Sequence, residues 1–314
     1  MAVLFGVLKL LLLFVALGWS ANLAVKNIKY LGAVLRVRLF VFGILLGLIT
    51  SLPELFLGIN AIIDQAAVLS VGNLLGGVVF KLGLILGVSL LVHRKIATDG
   101  RLATLIPMVL VIFSPILFGI DGKYSLLDGL VMVGLYVGLI FYLYRLNHFG
   151  ICSNIEIGDS NKVGKAIFFA IAGIIGILVA SHWIIEITLG LLVYFPVSQM
   201  VVGLIVFAIG TNLPEASIAI VSWRKKSAEL SLSNLLSSSF TNVLVLGSLA
   251  LFSPIVFSVT LTYWATALFL GFMLVLLTYF YYTGKKMDRH EGAILLAGYI
   301  LFVVVSIFFS LFNK

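Results

Sequence analysis

The chain has 314 residues, of which 62% are hydrophobic and 10% are charged. Soluble globular domains carry about 25% charged residues, so this composition excludes a soluble globule and indicates a polytopic membrane protein. The formal net charge of +8 would suggest a nucleic-acid partner in a soluble chain. In a membrane protein the placement of basic residues reports topology instead, and no nucleic acid is expected. The single cysteine, Cys152, excludes an intrachain disulfide and a cysteine-based metal site.

Apolar runs of about 20 residues, the length that crosses a bilayer, occur ten times along the chain. The first run has small residues near its end, as a signal peptide does. It lacks a charged leading region and is interrupted by Lys9, so we interpret it as a retained helix. The predicted fold is therefore an all-α polytopic membrane protein with the lipid bilayer as its surroundings. Its ten transmembrane helices are placed at residues 3–24, 39–62, 67–92, 102–120, 124–145, 163–188, 197–222, 230–252, 258–282 and 291–312.

The basic residues indicate how these spans are oriented. Sixteen of the 20 Lys and Arg residues fall in the loops that follow spans one, three, five, seven and nine. Lys123 and Lys314 fall on the opposite side. Because positively charged loops stay in the cytoplasm, both termini are predicted to face outward. The expected location is a prokaryotic plasma membrane.

A five-residue motif occurs twice, as Thr-Ser-Leu-Pro-Glu at residues 50–54 and as Thr-Asn-Leu-Pro-Glu at residues 211–215. Asn73 and Asn234 recur at the same offset of 161 residues. Each half of the chain contains five predicted spans, an odd number, so the halves enter the membrane from opposite sides. Such inverted repeats with interrupted helices are typical of secondary transporters, whose binding site lies between the repeats.

These observations predict three regions along the chain. Residues 1–145 form the first inverted repeat and residues 163–314 form the second. Residues 146–162, a polar stretch with charges of both signs, are predicted to be a cytoplasmic linker. Asp128 and Glu291 recur at an offset of 163 residues near span ends, and we interpret them as helix caps instead of ligands.

The repeated motif sets a glutamate beside a proline inside an apolar run. A carboxylate in hydrocarbon costs about 2.5–3.5 kcal/mol on insertion scales, so such a residue marks a functional site. Pro53 and Pro214 have no N–H to donate to the carbonyl four residues earlier. Freed carbonyls beside a carboxylate suit a hard cation. A proline kink with a hydrogen-bonded glutamate would explain one motif, whereas two copies favour a shared ion site.

Polar residues of spans three and eight are predicted to complete this site, because residues four apart share a helix face. Asn73 and Asn234 support the site, either by hydrogen bonds between helices or as ligands. Oxygen donors without His or Cys suit Na⁺, Ca²⁺ or Mg²⁺, and no resident cofactor is expected. The predicted cation ligands are Glu54, Glu215, Thr50, Ser51, Thr211, Asn212, Ser238 and Asn242.

The Thr-Ser/Asn-x-Pro-Glu motif, followed by Gly/Ser-Asn-x-x-Gly/Ser-Gly/Ser and present twice, resembles the cation/calcium exchanger superfamily, most of all its sodium/calcium exchanger branch. The resemblance implies an antiporter of inorganic cations, with Ca²⁺, Na⁺ or H⁺ as the transported ions. Spans two, three, seven and eight would form the ion site while spans one and six slide across it. The resemblance adds the backbone carbonyls of Gly47 and Ala208 to the ligands. It does not indicate an oligomeric state.

Four positions depart from that family's pattern. The family usually has serine, serine, aspartate and asparagine where this chain has Gly77, Asn212, Asn242 and Lys81. The family's site would carry two glutamates and an aspartate, formally −3, whereas Glu54, Glu215 and Lys81 sum to −1. An ammonium about 4 Å from a carboxylate gains roughly 4 kcal/mol at an effective dielectric of 20. We therefore expect Lys81 to pair with one of the glutamates. The alternative is that it points away from them.

Two functions remain open at this stage. In the first, the protein is a secondary active cation antiporter. The Lys81 ammonium replaces one bound cation, which alters ion selectivity or couples transport to the Lys81 proton. In the second, it is a membrane protein without transport activity, locked by a Lys81–glutamate salt bridge. An enzyme is not expected, because neither a metalloprotease nor a nucleophile-elbow motif occurs.

Overall fold

The computed structural model describes residues 2–34, 48–93, 95–98, 100–146, 163–195, 197–216, 219–220, 228–283 and 286–312. Gly47 and residues 147–162 of the predicted linker lie outside these described residues, as do residues 39–47 of the predicted second span. Within the described part, the chain is helical apart from two short antiparallel β-ribbons.

The first half of the chain ends with α6. A π-helical segment, Phe80–Ile85, joins α3 to α4 and is called the first π segment. Its elements in order are α1 (Ala2–Val34), α2 (Leu52–Ile63), α3 (Ala67–Val79), α4 (Leu86–His93), β1 (Lys95–Ala97), α5 (Leu102–Phe118), β2 (Lys123–Tyr124) and α6 (Leu126–Arg145).

The second half begins with α7. The second π segment, Gly203–Phe207, joins α8 to α9. The elements are α7 (Val163–Leu192), α8 (Gln199–Val202), α9 (Ala208–Thr211), α10 (Ala228–Phe252), β3 (Ile255–Val256), α11 (Leu261–Tyr282), β4 (Lys286–Asp288) and α12 (Arg289–Phe312).

Eight helices in the described residues are long and apolar enough to cross a membrane, and each coincides with a predicted span. The predicted second and seventh spans appear as shorter apolar helices, Leu52–Ile63 and Gln199–Thr211. They are short because the chain leaves the helix beside each motif. The eight long helices are Val3–Ile28, Ala67–His93, Leu102–Asp121, Leu126–Arg145, Val163–Leu192, Asn234–Phe252, Leu261–Tyr282 and Arg289–Leu311.

The two motifs interrupt their helices with nearly the same backbone geometry. Ser51 has φ −93° and ψ 7°, and Asn212 has φ −89° and ψ 14°. Each lies two residues before a proline, which is tolerated in the first turn of a helix because the N–H there has no helical partner. The carbonyls of Ser51 and Asn212 then accept the first bonds of the following helical turns, at 3.1 and 3.0 Å. The predicted interruption is present in both halves.

The continuous helix Ala67–His93 is the most buried of the eight spans, and it lies at the centre of the bundle. Its Gly72 and Gly76 lie directly against the backbone of Met200 and Leu204. A Cβ atom at either glycine would overlap that backbone, so glycine is required for this close approach. The contact sets α3 directly against the second π segment of the interrupted seventh span.

Asp128 and Glu291 are helix caps, as predicted. Asp128 Oδ2 accepts the Ser125 N–H at 2.8 Å, and Glu291 Oε2 accepts the Asp288 N–H at 2.8 Å. In return, Ser125 Oγ and Asp288 Oδ1 accept the backbone N–H groups of Asp128 and Glu291. Both pairs therefore form capping boxes, which satisfy N–H groups at a helix start.

Candidate ion-binding site

Both motif glutamates lie in the interior of the bundle. Glu54 is in the first turn of α2, and Glu215 lies in the helical turn after Asn212. Each side chain is 1% exposed. Of the other predicted site residues, Thr50, Ser51, Thr211, Asn212, Asn73, Ser238, Asn242, Pro53 and Pro214 are buried, whereas Asn234 is half-buried.

Several polar atoms at this centre have no hydrogen-bond partner. They are Glu54 Oε2, both carboxylate oxygens of Glu215, Asn212 Oδ1 and Asn73 Nδ2. A buried polar atom without a partner costs about 1–3 kcal/mol, and more when it is charged. Four of these five atoms are oxygens, so the centre offers acceptors that a cation or a proton would satisfy.

Lys81 is fully buried in the first π segment and reaches the same centre. Its Nζ donates to the Ser238 carbonyl at 3.0 Å and to Asn242 Oδ1 at 3.2 Å. The expected direct pair with a glutamate is wrong, because neither Glu54 nor Glu215 forms an ion pair with Lys81 within 4.0 Å. The π-helical turn presents Lys81 to α10, where a carbonyl and an amide oxygen accept its protons before a carboxylate can.

The Asn242 side chain has its orientation fixed from both ends. Its Nδ2 donates to the Leu74 carbonyl at 2.9 Å, and its Oδ1 accepts from Lys81. A carbonyl can only accept and an ammonium can only donate, so the amide cannot be reversed. Asn242 thus links α3 to the lysine.

Asn212 is held in a similar way. Its Nδ2 donates to the Ala208 carbonyl at 2.7 Å and lies 3.3 Å from the Thr211 hydroxyl. The Ala208 carbonyl, predicted to be a cation ligand, therefore already accepts one hydrogen bond. Because the nitrogen is engaged, it is Oδ1 that is left without a partner.

Asn73 joins α3 to the seventh span. The Thr211 hydroxyl lies 3.0 Å from Asn73 Oδ1 and 3.0 Å from the Phe207 carbonyl. Of the two alternatives for Asn73, a hydrogen bond between helices is therefore present. The Asn234 carbonyl accepts a bond from Ser237 Oγ at 3.0 Å within α10.

Sequence reasoning did not identify two features of this centre. The first π segment, which sets the direction of Lys81, leaves no recognisable signal in an apolar run. The Leu74 carbonyl is a backbone atom with no distinguishing side chain. In the described residues, no three His, Cys, Asp or Glu side chains come together as a metal-binding group. Any cation bound here would therefore rely on neutral oxygens beside the two glutamates.

The fold and the site define a class of protein. A membrane-spanning bundle with buried carboxylates at interrupted helices is typical of secondary transporters. The family model described as sodium/calcium exchanger protein matches residues 5–145 and 165–308, so the chain belongs to the sodium/calcium exchanger family. It is a multi-pass integral membrane protein and not an enzyme.

Individual relatives agree with this assignment. The chain is 26% identical to the sodium/calcium exchanger MaX1 of Methanosarcina acetivorans over 94% of its length and 97% of the relative's. It is 29% identical to the inner membrane protein YrbG of Escherichia coli over 65% of its length and 66% of the relative's. A solved structure of the sodium-calcium exchanger NCX_Mj has a TM-score of 0.65 and 26% identity, covering 96% of this chain and 99% of that one.

Proposed function

We propose that this protein is a secondary active cation antiporter that alternates access around one central site formed by Glu54 and Glu215. The observation that carries the proposal is the pair of buried glutamates with unpartnered oxygens, one beside each helix interruption. Carboxylates in such surroundings are stable only with a cation or proton nearby. Membership of the sodium/calcium exchanger family supports exchange of cations.

The proposed architecture is ten transmembrane helices in two inverted repeats, residues 1–145 and 163–314, with both termini outside. The matched interruptions and capping boxes support the repeat. Two aromatic contacts also join the halves in a reciprocal way. The rings of Tyr136 and Phe240 are 5.7 Å apart, and those of Tyr299 and Phe80 are 5.8 Å apart. Each contact joins a residue of one half to a residue of the other.

The two β-ribbons follow the same rule. β1 pairs with β4, and β2 pairs with β3, both antiparallel. In each half one strand follows the span that crosses the centre, and the other precedes a capping box. Exchanging the two halves converts one ribbon into the other, which supports a two-fold relation between them.

The proposed ligands divide into two groups. Glu54, Glu215 and Asn212 have unpartnered side-chain oxygens and would hold the cation. Ser238 and Asn242 hold the Lys81 ammonium instead. Thr50, Ser51, Thr211 and the carbonyls of Gly47 and Ala208 would complete the coordination as the ion passes.

The charge of this site limits what it can carry. Two carboxylates and one ammonium sum to −1, so one monovalent cation neutralises the site. A divalent cation would leave a buried positive charge unless Lys81 lost its proton. We therefore propose that the Lys81 ammonium takes the place of one bound cation and that fewer ions bind than with three carboxylates. Na⁺ would be the simplest cargo, with Ca²⁺ or the Lys81 proton as the exchanged partner.

Helices α1 and α7 would supply the movement. They pack along each other at small residues, where a Cβ on Gly173 would lie 2.7 Å from both the Ser20 carbonyl oxygen and the Ala24 backbone nitrogen. The Phe14 ring of α1 lies directly against Gly210, next to Thr211 of the motif. Sliding of α1 would therefore change the cover over the seventh span.

The competing function is a membrane protein without transport, locked by a Lys81–glutamate salt bridge. The hydrogen bonds of Lys81 to Ser238 and Asn242 favour the antiporter, because they leave the carboxylates unpaired.

Cation flux into proteoliposomes tests the proposal. Wild-type protein should take up radiolabelled Na⁺ or Ca²⁺ when an outward gradient of Na⁺, Ca²⁺ or H⁺ drives the exchange. Glu215→Gln should lower that flux at least about tenfold by removing a buried charge. Asp128→Asn, which changes a capping carboxylate away from the centre, should retain most of the flux. No flux of any cation in the wild type would favour the locked protein.

A further inference from the structure

The two repeats differ at the centre in three pairs of positions. Residues 161 apart are identical at the glutamates, at the motif threonines and at Asn73 and Asn234. The unlike pairs are Ser51 with Asn212, Gly77 with Ser238, and Lys81 with Asn242. Gly77, Lys81, Asn212, Ser238 and Asn242 from these pairs meet one another in the structure, and we call these five residues the amide–ammonium cluster.

Gly77 is the packing point of this cluster. A Cβ atom at Gly77 would lie 3.0 Å from Asn212 Nδ2 and 3.3 Å from Asn242 Nδ2. Both distances are tighter than about nine in ten real Cβ contacts, so each amide would have to shift by a few tenths of an ångström. The missing side chain at Gly77 is what admits both amides.

Neither amide is free to shift without breaking a bond. Asn242 Nδ2 is tied to the Leu74 carbonyl and its Oδ1 to Lys81 Nζ. Displacing the nitrogen swings the whole planar amide, which lengthens the 3.2 Å bond that holds the ammonium. A methyl group at Gly77 would therefore act on Lys81 through Asn242.

If the bond to Asn242 is lost, the Lys81 ammonium is expected to move towards the glutamates. Lys81 is close enough to interact electrostatically with both Glu54 and Glu215, although it forms no ion pair with either within 4.0 Å. Glu54 Oε2 and both carboxylate oxygens of Glu215 lack partners, so an ammonium released from Asn242 would pair with one of them and occupy the place of a cation.

We infer that Gly77 and Asn242 are specificity-determining positioning residues, which hold the Lys81 ammonium off the glutamates so that the site accepts one monovalent cation. The inference rests on the proposed function and deepens it. Neither residue needs to touch the ion. Their effect is transmitted by Lys81, and this dependence on the ammonium separates the inference from a simple packing role.

A double-mutant cycle tests this dependence. Gly77→Ala should weaken Na⁺ binding about tenfold, because the Lys81 ammonium would then form an ion pair with Glu54 or Glu215. In a Lys81→Gln background, the same Gly77→Ala change should have little effect on Na⁺ binding, because no ammonium is present to pair with a glutamate. Apparent Kd values for Na⁺ and Ca²⁺ would be measured from the ion-dependent rise of Tm in detergent, with Na⁺ flux in proteoliposomes as a second measurement.

Gly138→Ala is the matched control, because Gly138 also lies in a helix and a Cβ there meets nothing within 4 Å. Asn242→Ala is the second variant, for use if Gly77→Ala does not fold. It removes the hydrogen bond from Lys81 Nζ to Asn242 Oδ1 without adding a side chain to the packed centre. Its loss of Na⁺ affinity should likewise disappear in the Lys81→Gln background.

Equal loss of affinity with and without Lys81 would overturn the inference while the proposed function stands. A wild-type protein whose Tm and flux respond to no cation would overturn the proposed function and the inference with it. Non-additive loss, present only with the ammonium, supports both.

Discussion

Individual buried charges decide the chemistry of this protein. An ammonium in a low-dielectric interior is tolerated only when its protons are bound and its charge is balanced nearby. Different groups meet these two needs for Lys81. Ser238 and Asn242 accept its protons, while Glu54 and Glu215 balance its charge without an ion pair within 4.0 Å. Glu54 Oε2 and both Glu215 oxygens are thereby left without a partner, as the proposed cation site requires. A direct salt bridge would have satisfied both needs at once and closed the site.

Replacing the lysine should change which cation binds. Lys81→Asn removes the ammonium and takes the site from −1 to −2, which a divalent cation can neutralise. We expect Ca²⁺ affinity to rise about tenfold or more, as one buried charge interaction is worth at least 1.4 kcal/mol at an effective dielectric near 20. Ca²⁺-dependent Tm and Ca²⁺ flux measure the change.

Lys123→Gln is the control for this substitution, because Lys123 lies outside the spans with 59% of its side chain exposed and pairs only weakly with Asp121 at 3.8 Å. Ion binding and transport unchanged by Lys81→Asn would refute the role of the ammonium as a substitute cation.

Interrupted helices decide where the buried charges sit. The motif prolines place Ser51 and Asn212 in the same non-helical conformation, and the glutamates follow in the next turn. Side chains of a regular helix would point back along the preceding turn. The interruption instead aims the two glutamates at the centre from opposite halves. The second π segment precedes one interruption, and the first π segment carries Lys81.

Restoring a helix at one motif should impair transport without unfolding the protein. Pro214→Ala supplies an N–H that can bond to the Gly210 carbonyl, so the seventh span can continue as a helix and rotate Glu215. We expect Na⁺ flux to fall at least about tenfold, while Tm without ions stays the same or rises, because alanine is the best helix former.

Pro107→Ala is the comparison for this variant. Pro107 lies inside α5 and away from the centre, so its replacement should leave ion flux near the wild-type value. Full flux in Pro214→Ala would show that the interruption is not required.

The candidate ion site is built from both halves of the chain. Each half supplies one glutamate, and the amide–ammonium cluster is built across their boundary. The ribbons β1–β4 and β2–β3 also join one half to the other. A transporter that alternates access needs such a shared site, since movement of one half against the other then opens it to either side.

The orientation of the whole molecule can be tested with its single cysteine. Cys152 lies in the predicted cytoplasmic linker, outside the described residues. A membrane-impermeant maleimide should label it in inside-out vesicles and leave it unlabelled in right-side-out vesicles.

A second variant gives the opposite pattern. In a Cys152→Ser background, the exposed Lys123→Cys should be labelled from the outer face, because Lys123 follows the fourth predicted span. Labelling of both cysteines from one face would contradict the inverted arrangement.

Local chemistry determined much of this protein from its sequence. Hydrophobic length located eight spans, and proline chemistry located the interruptions beside Glu54 and Glu215. The capping roles of Asp128 and Glu291 follow from short-range hydrogen bonds, which depend on neighbours three residues away. These features need no knowledge of which helices pack together.

The tertiary structure alone decided the partners of Lys81. Spacing placed Lys81 on the correct helix, and charge suggested a glutamate as its partner. The first π segment and the contact of α3 with α10 instead bring it to the Ser238 carbonyl and the Asn242 amide. Gly77 became informative only when its neighbours were known. The physical reason is that a side-chain direction and a missing Cβ acquire energetic meaning from atoms on other helices, which no local pattern in the sequence encodes.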